Sequence, residues 1–305
     1  MWEVIAGDPA GRREMLPLRL MGAVHRLVLE GQAPALARHY PSVGGDGDAA
    51  ATWPAFRAVV AQQAGAVREL LARPVQTNEV GRAAVLLGGF LTVAAETALP
   101  LRVLELGASA GLNLRWDHFR YQLGGGAAWG NPDSPVRLTA ALSGGRPPLD
   151  APVRVAERGG CDRAPVDPLD EEGRLTLLSY AWPDQRDRLD NLRGALELAG
   201  RVPVALERAG AGDWLERVLS RPAPGTATVV FHSIVWLYLP DAERTRVAGA
   251  LEEAGGQAGA AAPLAWLRME PGEDQTELRL TCWPGGLERL LATAHYHGRD
   301  ARWLV

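Results

Sequence analysis

An acid followed by a run of small residues, Glu105-Leu-Gly107-Ala108-Ser109-Ala-Gly111-Leu-Asn113, is the segment of this chain best suited to chemistry. Small residues there let a ligand approach backbone N–H groups where a helix opens. The Glu105 carboxylate selects among such ligands: it favours one that offers donors, hydroxyls or an ammonium, and repels a pyrophosphate. Two further acids follow apolar runs. Glu157 suits the vicinal hydroxyls of a ribose, since one carboxylate accepts from both; a solvated charge paired with Arg158 is the alternative. Asp213, beside Trp214, suits an exocyclic amine next to a flat ring, or else caps a helix with Glu216 three residues on. His232, followed by Ser233, could take a proton from a substrate hydroxyl or amine, or be a buried histidine with its partners satisfied. His295 and His297 place two imidazoles on one side of a short strand, but no third ligand lies nearby, so no metal site is expected.

The elements that must position these residues change character along the chain. Residues 1–98 read as a helical cap or lid, with helix-like apolar spacing over Leu16 to Leu29, Pro54 to Leu71 and Thr77 to Ala98. From Leu101, short apolar runs alternate with helical segments: Leu101–Leu106, Val153–Ala156, Val202–Leu206, Ala227–Phe231, Leu264–Met269, Glu277–Cys282, and a last one near 295–297 or 301–304. Such alternation predicts an α/β domain over 99–305, a doubly wound, mostly parallel sheet of seven strands. Two connections are longer than a crossover helix requires. They predict insertions at about 116–146 and 162–192 on the rim where ligands bind, with His118, Tyr121 and Trp182 as candidate substrate or lid residues.

Composition removes several classes. The 305 residues carry a formal net charge of −4, which argues against a broad nucleic-acid surface. All 32 basic residues are arginine, so neither a lysine Schiff base nor a P-loop lysine is possible. Two cysteines are too few for a disulfide scaffold. No apolar stretch approaches the roughly 20 residues that cross a bilayer, and Trp2 to Asp8 lacks the layout of a signal peptide. These features predict a cytoplasmic protein with a small-molecule substrate; they say nothing of oligomeric state.

Glu105-x-Gly107-x-Ser109-x-Gly111 resembles the first motif of class I S-adenosylmethionine-dependent methyltransferases, with Ser109 in place of the middle glycine. Asp213-Trp214 resembles their adenine pocket. Pro74 to Arg82, Leu104 to Asn113, Trp129-Gly-Asn-Pro-Asp-Ser-Pro135, Trp182-Pro-Asp-Gln185, Phe231-His-Ser-Ile-Val-Trp236 and Trp283-Pro-Gly-Gly286 together resemble the domain-of-unknown-function 2332 family, from about His25 to Trp303. That resemblance implies bacterial cytosolic proteins with a methyltransferase-like sheet behind a helical N-terminal region, and Asn78 and Glu79 as lid residues. The expectation is a methyltransferase acting on a small molecule: S-adenosylmethionine held by Glu105, Gly107, Ala108, Ser109, Gly111, Asn113, Glu157, Asp213 and Trp214, with His232 as the base. A non-catalytic S-adenosylmethionine-binding or scaffold protein is the alternative. Gly107-Ala-Ser109-Ala-Gly111 also satisfies the nucleophile elbow of serine hydrolases, but several strands should precede such an elbow, and the region before Leu101 reads as helical.

Overall fold

The computed structural model describes residues 15–305; the N-terminal stretch Trp2 to Asp8 lies outside them. In chain order the main helices are α1 (Leu16–Leu29), α2 (Ala49–Gln62), α3 (Ala64–Leu71), α4 (Ala83–Thr97), α5 (Glu171–Ser179), α6 (Arg186–Ala199), α7 (Ala211–Val218) and α8 (Asp241–Gln257). The strands are β1 (Leu101–Leu106), β2 (Arg120–Leu123), β3 (Ala128–Gly130), β4 (Arg137–Ala140), β5 (Leu142–Gly144), β6 (Val155–Asp162), β7 (Ala205–Arg208), β8 (Ala227–Ser233), β9 (Leu264–Pro271), β10 (Thr276–Trp283), β11 (Leu287–Ala294) and β12 (Ala301–Trp303).

The chain forms two compact units, and they divide at Thr77/Asn78 rather than at the expected residue 98. The first joins the described residues up to Thr77 with Val166–Leu196, so most of the second expected insertion folds with the N-terminal helices. Its core is the apolar face of α1 (Val24, Leu27, Val28) against Phe56, Val60, Val67 and Leu71 of α2 and α3. The helix expected over Pro54 to Leu71 is broken at Gln63, which leaves helical geometry at φ −115°, ψ 34°.

The second unit contains the sheets. Its large sheet has nine strands in the order β5-β12-β11-β10-β9-β8-β1-β6-β7, and it is mixed. This overturns the doubly wound seven-stranded sheet. The expected parallel run is confined to β7, β6, β1, β8 and β9, with one further parallel pair, β12 and β5, at the far edge. Beyond β9 the chain turns back through Gly272–Gln275 and again before Gly286, connections too short for a helical crossover, so β10 and β11 pair antiparallel. The first expected insertion is also structured: β2, β3 and β4 form a separate three-stranded sheet, and β5 extends the large sheet beside β12.

Helix α4 carries apolar residues all round and is buried along nearly its whole length, the mark of a core helix. Residues Val80–Thr97 are long and apolar enough to cross a membrane by length and composition, where none was expected, but 72% of that window is buried in the protein. That is the behaviour of a core helix. Gly89 lets α4 approach the sheet: a Cβ there would lie 2.2 Å from Leu267 Cδ1. Phe90 stacks on Trp116 with ring centres 4.4 Å apart and meets Phe231 edge-on at 5.1 Å.

Candidate functional site

Strand β1 sits between β6 and β8, where the order of the parallel strands reverses direction along the sheet, the position at which open α/β sheets bind ligands beyond their carboxyl ends. Both faces of β1 are covered, so its sequence reads as an apolar run interrupted only by Arg102 and Glu105. Glu105 lies opposite Gly160 of β6 and Phe231 of β8 and is 3% exposed. Its Oε2 is buried without a hydrogen-bond partner. Burial, and then the nearby Asp162 charge, hold its pKa well above the usual carboxylate range, against the pull of Arg115 and Arg82. A carboxylate kept from water in this way is costly unless something donates to it.

The turn after β1 explains the spacing of small residues. Gly107, Ser109 and Gly111 all adopt the left-handed region, at φ 65°, 52° and 62°. At Gly107 there is also no room for a side chain: a Cβ would stand 2.7 Å from Val235 Cγ2. Ser109 accepts the same backbone at a strain of roughly 1–2 kcal/mol. The turn's amides are largely engaged by the protein itself. Ala108 N–H donates to the Cys161 carbonyl (3.0 Å), Ser109 N–H to Asp162 Oδ2 (2.9 Å) and Leu112 N–H to Asn78 Oδ1 (2.9 Å). It is therefore no phosphate cradle; what this segment leaves open is an acceptor. Asn113 Oδ1 on the same segment is likewise buried and unpartnered, while Asn113 Nδ2 donates to the Glu79 carbonyl at 3.2 Å.

Asn78 and Glu79 thus act as a strap on the turn. Glu79 takes the Gly81 N–H at 3.1 Å and faces His297 Nδ1 at 3.2 Å. Arg82, next along, donates to the carbonyl of Ser233, whose residue is 5% exposed at the carboxyl end of β8.

Three expected site residues lie elsewhere. Glu157 pairs in register with Arg102, at the opposite end of β1 from the turn, and its exposed carboxylate bonds Arg102 Nε at 3.0 Å. Its other expected partner, Arg158, instead clamps Asp117 with two bonds of 2.7 Å, near His118. The acid that ends β6 is Asp162, five residues later. The strand expected over Val153–Ala156 runs instead from Val155 to Asp162; Gly160 is there because a Cβ would press within 2.9 Å of Ala108 Cβ. Asp213 is exposed in the first turn of α7, capped by Gly210, and pairs with Arg246 at 2.5 Å. Trp214 is 2% exposed in the core and donates to Glu207 Oε1 at 3.0 Å.

His232 is locked. Trp266 Nε1–H donates to its Nε2 (3.1 Å), which makes Nδ1 the protonated nitrogen, bonded to Glu270 Oε1 at 2.6 Å. Trp236 stacks on the imidazole at 5.3 Å. Glu270 Oε1 also receives the Val235 and Trp236 amides, so the histidine and this acid together shape the bend after β8, where Ile234 takes φ 52°. No ring nitrogen remains to pair with Ser109 or to meet a substrate proton. Tyr121 is fully buried in the small sheet and donates to the Trp116 carbonyl at 2.7 Å. Trp182 lines a cavity inside the first unit. Among the described residues no group of three or more His, Cys, Asp or Glu side chains is placed to hold a metal ion.

A family model described as an uncharacterized protein conserved in bacteria (DUF2332) matches residues 2–303. Neither the curated proteins nor the solved structures give a match.

Proposed function

This chain belongs to the DUF2332 family, and from that premise we propose that the carboxyl end of β1 binds S-adenosylmethionine and that the protein methylates a small molecule. The observation that carries the reading is the buried, unpartnered Oε2 of Glu105, an acceptor awaiting a donor. An ammonium or sugar hydroxyls supply such donors; a phosphate does not. The central place of β1 among the parallel strands supports the same ligand.

When bound, S-adenosylmethionine supplies an activated methyl group. Glu105 accepts hydrogen bonds from the ligand. Gly107 leaves the room into which Val235 packs, while Asp162, Asn78 and Glu79 hold the turn in place. His232 positions the Val235–Trp236 bend and removes no proton, so acceleration rests on orientation and exclusion of water. The lock on His232 also favours a second reading, cofactor binding without turnover.

Titration calorimetry with S-adenosylmethionine and S-adenosylhomocysteine tests the binding, and incubation with methyl-labelled cofactor and a small-molecule extract tests the transfer. Saturable binding of both, with label passed to an extract component, is expected. Binding without transfer would select the second reading; no binding would end both.

A further inference from the structure

The first unit carries a solvent-open cavity of about 660 Å³, within the size range of small-ligand sites. Its walls are unusually aromatic: Tyr40, Trp53, Phe56 and Trp182 all face it. Trp53 and Phe56, one turn apart on α2, stack with ring centres 6.0 Å apart at 14°. Trp53 is nevertheless 53% exposed, so its indole is held in position but not covered. Burial pushes the Tyr40 hydroxyl up to about 12, which keeps that wall neutral.

The charge at the cavity is one-sided. Asp184 lines it, and among the described residues its exposed carboxylate has no ion pair; His39, the other titratable group beside Tyr40 there, is held by Asp46 at 3.0 Å. Among the described residues no arginine lines the cavity, although every basic residue of the chain is an arginine. Among the described lining residues an anion would find no counter-charge. Indole faces with a free carboxylate at the edge attract an organic cation, whose low hydration lets it leave water for the ring quadrupoles.

We propose that this cavity is a binding site for an alkylated organic ammonium, held between Trp53 and Trp182 with Asp184 as its counter-charge. The site is separate from the function proposed at β1 and stands or falls independently of it.

Calorimetry on the full chain with choline chloride, against its neutral isostere 3,3-dimethylbutan-1-ol, tests this. Choline is expected to bind at least tenfold more tightly than the alcohol, and Trp53→Ala and Asp184→Asn each to weaken it by roughly tenfold. Both side chains are exposed, so the fold is expected to survive, and Asp184→Asn reads the charge even if Trp53→Ala melts early. Equal affinity for choline and the alcohol would make the cavity a neutral apolar site and overturn the proposal. So would the absence of choline binding, or an Asp184→Asn variant that binds choline as the wild type does.

Discussion

Each unit buries several ionisable side chains deeply, and two of them, His25 and Glu105, are treated in opposite ways. In the first unit His25 is 1% exposed, yet both ring nitrogens have partners: Ser42 Oγ at 2.9 Å and the Ser179 carbonyl at 3.2 Å. In the second unit Glu105 is 3% exposed and its Oε2 has none. The histidine ties α1 to the turn at Ser42 and to the end of α5, which is a structural task complete without a ligand. The glutamate joins nothing to anything. A buried polar group with every bond made belongs to the architecture; the open acceptor of Glu105 is the group that the proposed ligand would satisfy.

The largest effect expected from this contrast is on the acid stability of the first unit. Desolvation lowers the His25 pKa from 6.5 to about 4. Between those values the unfolded chain binds the proton that the folded one refuses, so stability falls as pH drops from about 6.5 to 4 and is fully present above that window. The loss is on the order of 3 kcal/mol. Urea melts across pH 4–7 should show that slope in the wild type and a flattened one in His25→Gln. An unchanged slope would mean that His25 is not held neutral.

A smaller pair of effects separates the two strand-end acids. Asp162→Asn weakens a charge-assisted bond to the Ser109 amide that fixes the turn, and is expected to reduce S-adenosylhomocysteine affinity by roughly tenfold. Glu157→Gln breaks only an exposed ion pair with Arg102, and should change affinity less than twofold and stability by under about 0.5 kcal/mol. The reverse ranking would return the ribose contact to Glu157.

Much of this contrast was readable from local pattern. The bounds of α1 and β1 follow from unbroken apolar spacing, and the small residues at 107, 109 and 111 announced a turn. What pattern could not supply was strand neighbourhood. His232 pairs with Arg268 of β9, which puts Trp266 and Glu270 at the diagonal positions on the same face. Nothing near residue 232 in the chain reports that both ring nitrogens will be taken. Likewise the mixed edge of the sheet depends on two tight turns whose consequence is topological, and β6 hides its carboxyl end behind glycines that only β1 and its turn require.

The central claim is that Glu105 is kept for a ligand at the protein's own expense, and one substitution reads both halves of it. Because burial raises the pKa of Glu105, its contribution to stability is full below the ordinary carboxylate range and is lost as pH rises toward the folded-state value. Glu105→Gln keeps the shape and removes the charge. Thermal melts at pH 8, with calorimetry on the same samples, should therefore find the variant more stable than the wild type and at least tenfold weaker for S-adenosylmethionine. A variant that is less stable and binds as tightly as the wild type would contradict the account.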